Sequence, residues 1–419
     1  MASWNSRSTL SDPASLTARK ACDRLSIITS FLQPKRNRRT LRYYGLFICL
    51  GMNLAIIGPT LPSLAEQTNI RIGLIGTIFM VGSIGYGIGT LIGGKLFDQV
   101  RGHPVLGIAG VSSAVLLSLF PVVSAFPILL FIAALKGVAD GIINTGANTL
   151  LLWTHAEKSP PFLTGLHLFF GVGAFLSPLL LAYLISLSTP YRIVFWLLAG
   201  VMVFASTLLL ADRDSPDPAA NNLNTPGSSQ KMASCVPILL LSMLFLFFYV
   251  GAEVTFGSWL FSIAVLLDLT TEAAAAFLTS GFYLSFTIGR MLAIPAASCF
   301  EVEKVILIAL LACLVTITAG ILFLRSPLAL WATALGIGFF FAPIFPAGIS
   351  LAGKSMRLNA RSSSIILLGD SFGCMILPWL AGLIIEATSP ISMLYLVMGS
   401  LVLNLFVFAG ILRFRSRTG

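Results

Sequence analysis

Long apolar stretches separated by short polar gaps run along almost the whole chain. A bilayer-crossing helix needs about 20 predominantly apolar residues. Twelve such stretches can be marked, at 41–64, 72–97, 104–124, 126–152, 162–187, 191–211, 234–265, 272–299, 304–324, 328–353, 362–386 and 391–413. The pattern predicts an all-α integral membrane protein with twelve transmembrane helices. Most gaps hold fewer than ten residues, so consecutive helices must run antiparallel. The long internal gap, DRDSPDPAANNLNTPGSSQK over 212–231, reads as a flexible linker. The expected organisation is a cytoplasmic tail over 1–40, a six-helix bundle over 41–211, a cytoplasmic linker over 212–231, a second six-helix bundle over 232–413 and a cytoplasmic end over 414–419.

Composition agrees with the pattern, since 57% of residues are hydrophobic and 10% charged, against about 25% charged in a soluble domain. The net charge of +10 raises the question of a nucleic-acid partner. The basic residues, however, gather in the gaps between apolar runs rather than along a solvated face, so no nucleic acid is expected and the lipid bilayer is the surface they meet. With a cytosolic N-terminus, 21 of the 26 Lys and Arg residues fall on the cytosolic side, Arg71, Arg192 and Arg325 fall opposite, and Lys136 and Arg290 lie within spans. The positive-inside rule therefore puts both termini in the cytosol. The run Lys35 to Arg39 reads as an anchor facing anionic lipid. The first forty residues, rich in Ser and Arg and poor in acid, fit a plain cytosolic tail at the plasma membrane; a transit peptide for an organellar, plastid membrane is the alternative. Six cysteines without a CxxC pair or a His/Cys cluster give no metal site and no disulfide framework.

An offset of 200 residues aligns the two halves. Gly51 faces Gly251, Ile88 and Gly89 face Ile288 and Gly289, and Leu151 faces Leu351. Leu168, Gly173, Pro178 and Leu180 repeat as Leu368, Gly373, Pro378 and Leu380. Duplicated halves of this kind are a mark of transporter folds. Gly85, Gly89 and Gly93 in span 2 make a double GxxxG register, expected to let helices approach closely and one half rock against the other.

Between spans 2 and 3 the chain reads GGKLFDQVRGH, with Gly94, Leu96 and Asp98 in the G-x-L-x-D arrangement of that loop in the major facilitator superfamily, which the chain resembles. The usual basic ending is replaced by Val100, Arg101, Gly102 and His103, one residue later. The resemblance implies the superfamily's two-bundle fold, and a gating role in which Asp98, with Arg101 as relay, holds the inner end of helix 11 and stabilises the outward-open state. Gly58 to Pro62, Asn144 to Asn148, Leu166 to Leu180, Tyr249 to Trp259 and Ile288 to Arg290 are similar to the fucose permease and sodium-dependent glucose transporter branch. Where that pattern carries an acid in span 4 this chain has Asn144, and span 1 has no acid, so the proton-coupling carboxylates of the fucose permease do not transfer.

A charge within a span costs about 2.5–3.5 kcal/mol at mid-depth and so marks a candidate site. Lys136, Asp140, Asn144 and Asn148 recur every fourth residue, forming one polar stripe on one helix face. Lys136 and Asp140 are candidate ion-coupling residues, or a self-neutralising structural pair. Glu253, the repeat counterpart of Asn53, is a candidate for both substrate binding and ion coupling. Asn53, Asn144, Asn148, Glu253, Trp259 and Tyr283 are the substrate-binding candidates, with Tyr249 and Trp379 as further stacking faces. Arg290 and Asp370, both toward the cytoplasmic half, join Gly94, Asp98 and Arg101 as gating candidates. His167 reads as a packing residue. No ATP-binding loop and no catalytic constellation is present, so the expectation is not an enzyme but a monomeric secondary transporter of a small polar solute, a hexose by resemblance, working by alternating access. No cofactor is expected beyond a coupling ion, H+ or Na+. An exporter of organic anions or hydrophobic drugs, or a non-transporting sensor of the same fold, is the alternative.

Overall fold

The computed structural model describes residues 34–212, 214–216, 236–356 and 360–418. The tail over 1–33, most of the linker, Cys22, Cys235, Arg213, Lys231 and Arg357 lie outside the described residues. The chain is an integral multi-pass membrane protein, with twelve apolar spans among the described residues when one bent pair is counted as a single span. They are α1 (Pro34–Ala55 continued by Ile57–Thr68), α2 (Ile72–Gln99), α3 (Gly102–Leu119), α4 (Phe126–His155), α5 (Ser159–Ser186), α6 (Arg192–Leu210), α7 (Val236–Leu266), α8 (Glu272–Cys299), α9 (Val302–Leu322), α10 (Pro327–Ser355), α11 (Ala360–Ala387) and α12 (Ser392–Thr418).

Among the described residues three spans are broken, α2 at Gly76 and α1 and α10 elsewhere, and proline accounts for the breaks in α1 and α10. A proline ring clashes with the carbonyl four residues earlier and offers that carbonyl no N–H. For Pro59 that residue is Ala55, where the first part of α1 ends before a 46° bend. For Pro346 it is Ala342, between the parts of α10 that end at Phe341 and resume at Ile344. The described part of α1 reaches back to Pro34, seven residues before its apolar run, and its charges there find partners. Arg36 donates to His155 Nδ1 at 3.0 Å, Arg39 pairs with Asp214 at 2.6 Å and Arg42 pairs with Asp212. The extension thus ties the start of the linker to the first bundle. In the second bundle Glu303 receives both Arg415 and, at 3.6 Å, Lys354.

Glycines set the packing within each half. A Cβ on Gly51 would strike the Phe170 carbonyl on α5, and one on Gly251 would come within 3.1 Å of the Gly373 carbonyl on α11. The 200-residue offset therefore corresponds to one repeated helix contact, α1 on α5 and α7 on α11. Gly85 and Gly89 press against the carbonyls of Ala134 and Val138 on α4. The close approach expected of the GxxxG register is present, but it joins α2 to α4 inside one bundle. The expectation that it serves rocking between halves is corrected, because both partners move together.

The halves meet along α5 against α8 and α2 against α11. On the side away from the chain ends they are drawn together. Arg71 pairs with Glu386 at 3.2 Å, Ser280 donates to the Phe175 carbonyl at 2.9 Å, and a Cβ on Gly58 would meet the Ser258 backbone at 2.6 Å. Trp259 closes this region. It is fully buried, bonds the Pro378 carbonyl at 2.9 Å through its indole N–H, and packs between Gly76 and Gly382.

Candidate functional site

Below that closure, polar side chains from both halves converge. Glu253 (α7), Tyr283 and Arg290 (α8) and Asp370 (α11) are half-exposed, and His167 (α5) is exposed, although all lie deep in the bundle. Such side chains are not tolerable against lipid, and their accessibility means that they face a cavity open to water. Glu253 is within electrostatic range of Tyr283, Arg290 and Asp370, and Arg290 within range of His167 across the boundary between halves. Tyr86 on α2 completes the ring beside Asp370 and Cys374.

The contacts differ in how committed they are. Tyr249, one turn before Glu253, bonds its carboxylate at 2.5 Å and the Phe341 carbonyl at 2.8 Å. Arg290 lies 4.4 Å above the Phe286 ring, a cation–π contact, and forms no carboxylate ion pair among the described residues. Asp370 accepts from the Cys374 thiol at 3.6 Å. The sequence expectation that Arg290 and Asp370 form a gate pair is therefore not met in this conformation.

Other expectations sort by position. Lys136 and Asp140 are both buried and close on each other at 2.6 Å, with Ser113 of α3 donating to the second carboxylate oxygen at 2.6 Å. The polar stripe splits there. Its upper half is turned into the α3–α4 contact, while Asn144 and Asn148, joined by an Asn148 side-chain bond to the Asn144 carbonyl at 2.8 Å, remain half-exposed. Asn53 is fully buried with neither amide atom partnered among the described residues, so it does not mirror the accessible Glu253. Trp259 belongs to the closure between halves rather than to the cavity wall, and Tyr249 is fully buried. Gly94, Asp98 and Arg101 are exposed, and the Asp98 carboxylate pairs neither with Arg101 nor with another described residue. The Asp98–Arg101 relay is thus not formed here; both side chains are exposed, although Phe97 and His103 on either side of them are buried.

Sequence reasoning missed Tyr86 and underrated His167. Tyr86 stands between Gly85 and Gly87, a large hydroxylated ring in a stretch otherwise made for close packing, which was the available signal. His167 touches Phe47 edge-on at 5.9 Å but keeps an accessible face toward Arg290. A separate cavity of about 200 Å³ lies on the closed side, lined by Thr60, Ser63, Tyr191, Phe261 and Glu272 among others.

The family model described as Major Facilitator Superfamily matches residues 44–277. Sodium-dependent glucose transporter 1A of Mus musculus is 31% identical over 399 residues, covering 87% of this chain and 94% of that protein. Among solved structures, the nucleoside transporter NupG superposes with a TM-score of 0.71 at 15% identity, covering 91% of this chain and 99% of that one. The D-xylose-proton symporter gives 0.74 at 14% identity, covering 88% and 96%.

Proposed function

Because the chain belongs to the major facilitator superfamily, we propose that it is a secondary transporter carrying a neutral hexose through the ring of Glu253, Tyr283, Arg290, Asp370, Tyr86 and His167 by alternating access. The observation that carries this reading is the relationship to a glucose transporter along 87% of the chain. The chemistry of the cavity supports it. Hydroxyl groups need donors and acceptors side by side, and Glu253, Asp370, Asn144, Asn148 and Tyr283 supply both. One cation facing two carboxylates, with Lys136 and Asp140 neutralising each other elsewhere, suits an uncharged solute better than a polyanion.

The ion-coupling role is assigned to Glu253, which is accessible, while Lys136 and Asp140 are given a structural one. The conformation described, joined on the side away from the chain ends, corresponds to an inward-facing carrier if both termini are cytosolic, as the distribution of Lys and Arg argues. A monomer in the plasma membrane is the simplest arrangement. Ligand-dependent thermal stabilisation tests the substrate class, since a ligand that binds the folded state raises stability by RT ln(1 + [L]/Kd). Hexoses should raise the melting temperature of the purified protein. Stabilisation by organic anions or lipophilic drugs, with no response to any hexose, would refute the reading.

A further inference from the structure

The transport reading leaves the coupling ion open, and the hydrogen bonds around Tyr249 bear on it. Its hydroxyl oxygen has two oxygen neighbours, Glu253 Oε2 at 2.5 Å and the Phe341 carbonyl at 2.8 Å. A phenol has one hydrogen, and with Glu253 ionised both neighbours are acceptors only. One of the two contacts would then hold no hydrogen, at a ring fully buried from water. A protonated Glu253 resolves the count, because its carboxyl O–H donates to Tyr249 and Tyr249 donates to Phe341. We infer that Glu253 carries the coupling proton in this conformation and that Tyr249 relays its occupancy to the break in α10; the inference rests on the transport reading above.

Phe341 is the last residue before that break, where the proline-disrupted helix leaves carbonyls in need of donors. The neighbouring elements supply the response. Arg290 and Tyr283 face Glu253 from α8, and Asp370 and Cys374 from α11, while Cys313 of α9 lies near Tyr249. Gly289, beside Arg290, approaches the break so closely that a Cβ on it would lie 2.6 Å from the Phe339 carbonyl and 2.8 Å from the Ala342 side chain.

Deprotonation moves one proton and rearranges one bond. The proton leaves the Glu253 carboxyl for cavity water, and the Tyr249 hydrogen turns from the Phe341 carbonyl to the new carboxylate, a stronger charge-assisted bond. The carbonyl at the α10 break loses its donor, and the negative charge draws Arg290 from the Phe286 ring. Proton occupancy thereby acts on both α10 and α8, the helix that joins the second half to α5. A sodium ion at the same place would require an ionised Glu253, and the Tyr249 and Phe341 oxygens are already bonded to each other.

The test combines infrared spectroscopy with transport, using the purified full chain, Glu253→Gln and Tyr249→Phe. In sodium-free buffer the wild type should show a protonated-carboxyl C=O band that converts to carboxylate as pH rises. The band should be missing in Glu253→Gln and shifted in Tyr249→Phe, which no merely structural role for Glu253 would produce. In proteoliposomes Glu253→Gln, whose amide still donates to Tyr249, should lose the accumulation driven by a pH gradient that the wild type shows, and whatever hexose exchange it retains should no longer depend on pH. Glu253 ionised across the physiological pH range, or undiminished pH-driven accumulation in Glu253→Gln, overturns the inference. A titrating Glu253 band in a protein that exchanges no hexose would refute the hexose reading while sustaining the proton site.

Discussion

Replacing Asp140 with leucine isolates what the buried ion pair does. Lys136 and Asp140 side chains are 5% and 1% exposed, 2.6 Å apart, and the second carboxylate oxygen is taken by Ser113. Removing the carboxylate strands an ammonium in the α3–α4 contact, and breaking a buried pair in this way costs about 3–5 kcal/mol. At about 1.4 kcal/mol per factor of ten, the folded population falls more than a hundredfold relative to the unfolded. For a bundle of this size, about 2–4 °C per kcal/mol places the loss near 6–20 °C in melting temperature. Lys136→Met combined with Asp140→Leu removes both charges, and similar replacements elsewhere are often neutral or stabilising. The double variant should therefore recover most of the loss. The assay is thermal unfolding in detergent, paired with gradient-driven uptake in proteoliposomes. A single variant as stable as wild type, or a double variant no better than the single, would refute the reasoning. A stable double variant lacking gradient-driven accumulation would return the pair to the coupling role.

Three further changes probe the packing and the gate. Gly89→Ala places a methyl against the Val138 carbonyl and should cost about 1–3 kcal/mol by overpacking, whereas Gly94→Ala, with open space around it, should be neutral; equal stabilities would contradict the close α2–α4 contact. Trp259→Ala removes the plug between Gly76 and Gly382 and should cost about 3–5 kcal/mol, while admitting a thiol reagent from the closed side to a cysteine placed at Tyr283; unchanged labelling would show that Trp259 does not seal. If Asp98 has the gating role that the superfamily resemblance implies, Asp98→Asn should raise labelling of that same cysteine from the side of the chain ends while hexose affinity stays within a few fold; unchanged labelling would remove Asp98 from the gate.

The spans were legible because hydropathy over twenty residues is a property of the chain alone. The halves were legible because duplication preserves spacing, and Gly51 and Gly251 prove to make the same contact. Boundaries were less so. The extension of α1 ahead of its apolar run, to Pro34 at least, rests on His155, Asp212 and Asp214 receiving its arginines, which no local pattern foretells. The breaks in α1 and α10 follow from Pro59 and Pro346, but each falls four residues before the proline that causes it. Within the site, the Lys136–Asp140 and Tyr249–Glu253 contacts are one turn apart and could be read from spacing. The placing of Trp259 in the closure, Asp140 against Ser113 and Tyr86 beside Asp370 depends on the register between helices distant in sequence. One sequence does not carry that register.

Entrance counterflow of labelled glucose tests the central claim most directly. Proteoliposomes holding the purified protein are loaded with unlabelled glucose and diluted into a trace of labelled glucose with no ion gradient imposed, so that exchange alone is read. The account predicts a transient accumulation of label above its equilibrium level, absent from protein-free vesicles. No overshoot with glucose or any other hexose, from protein shown to be folded, would contradict the account.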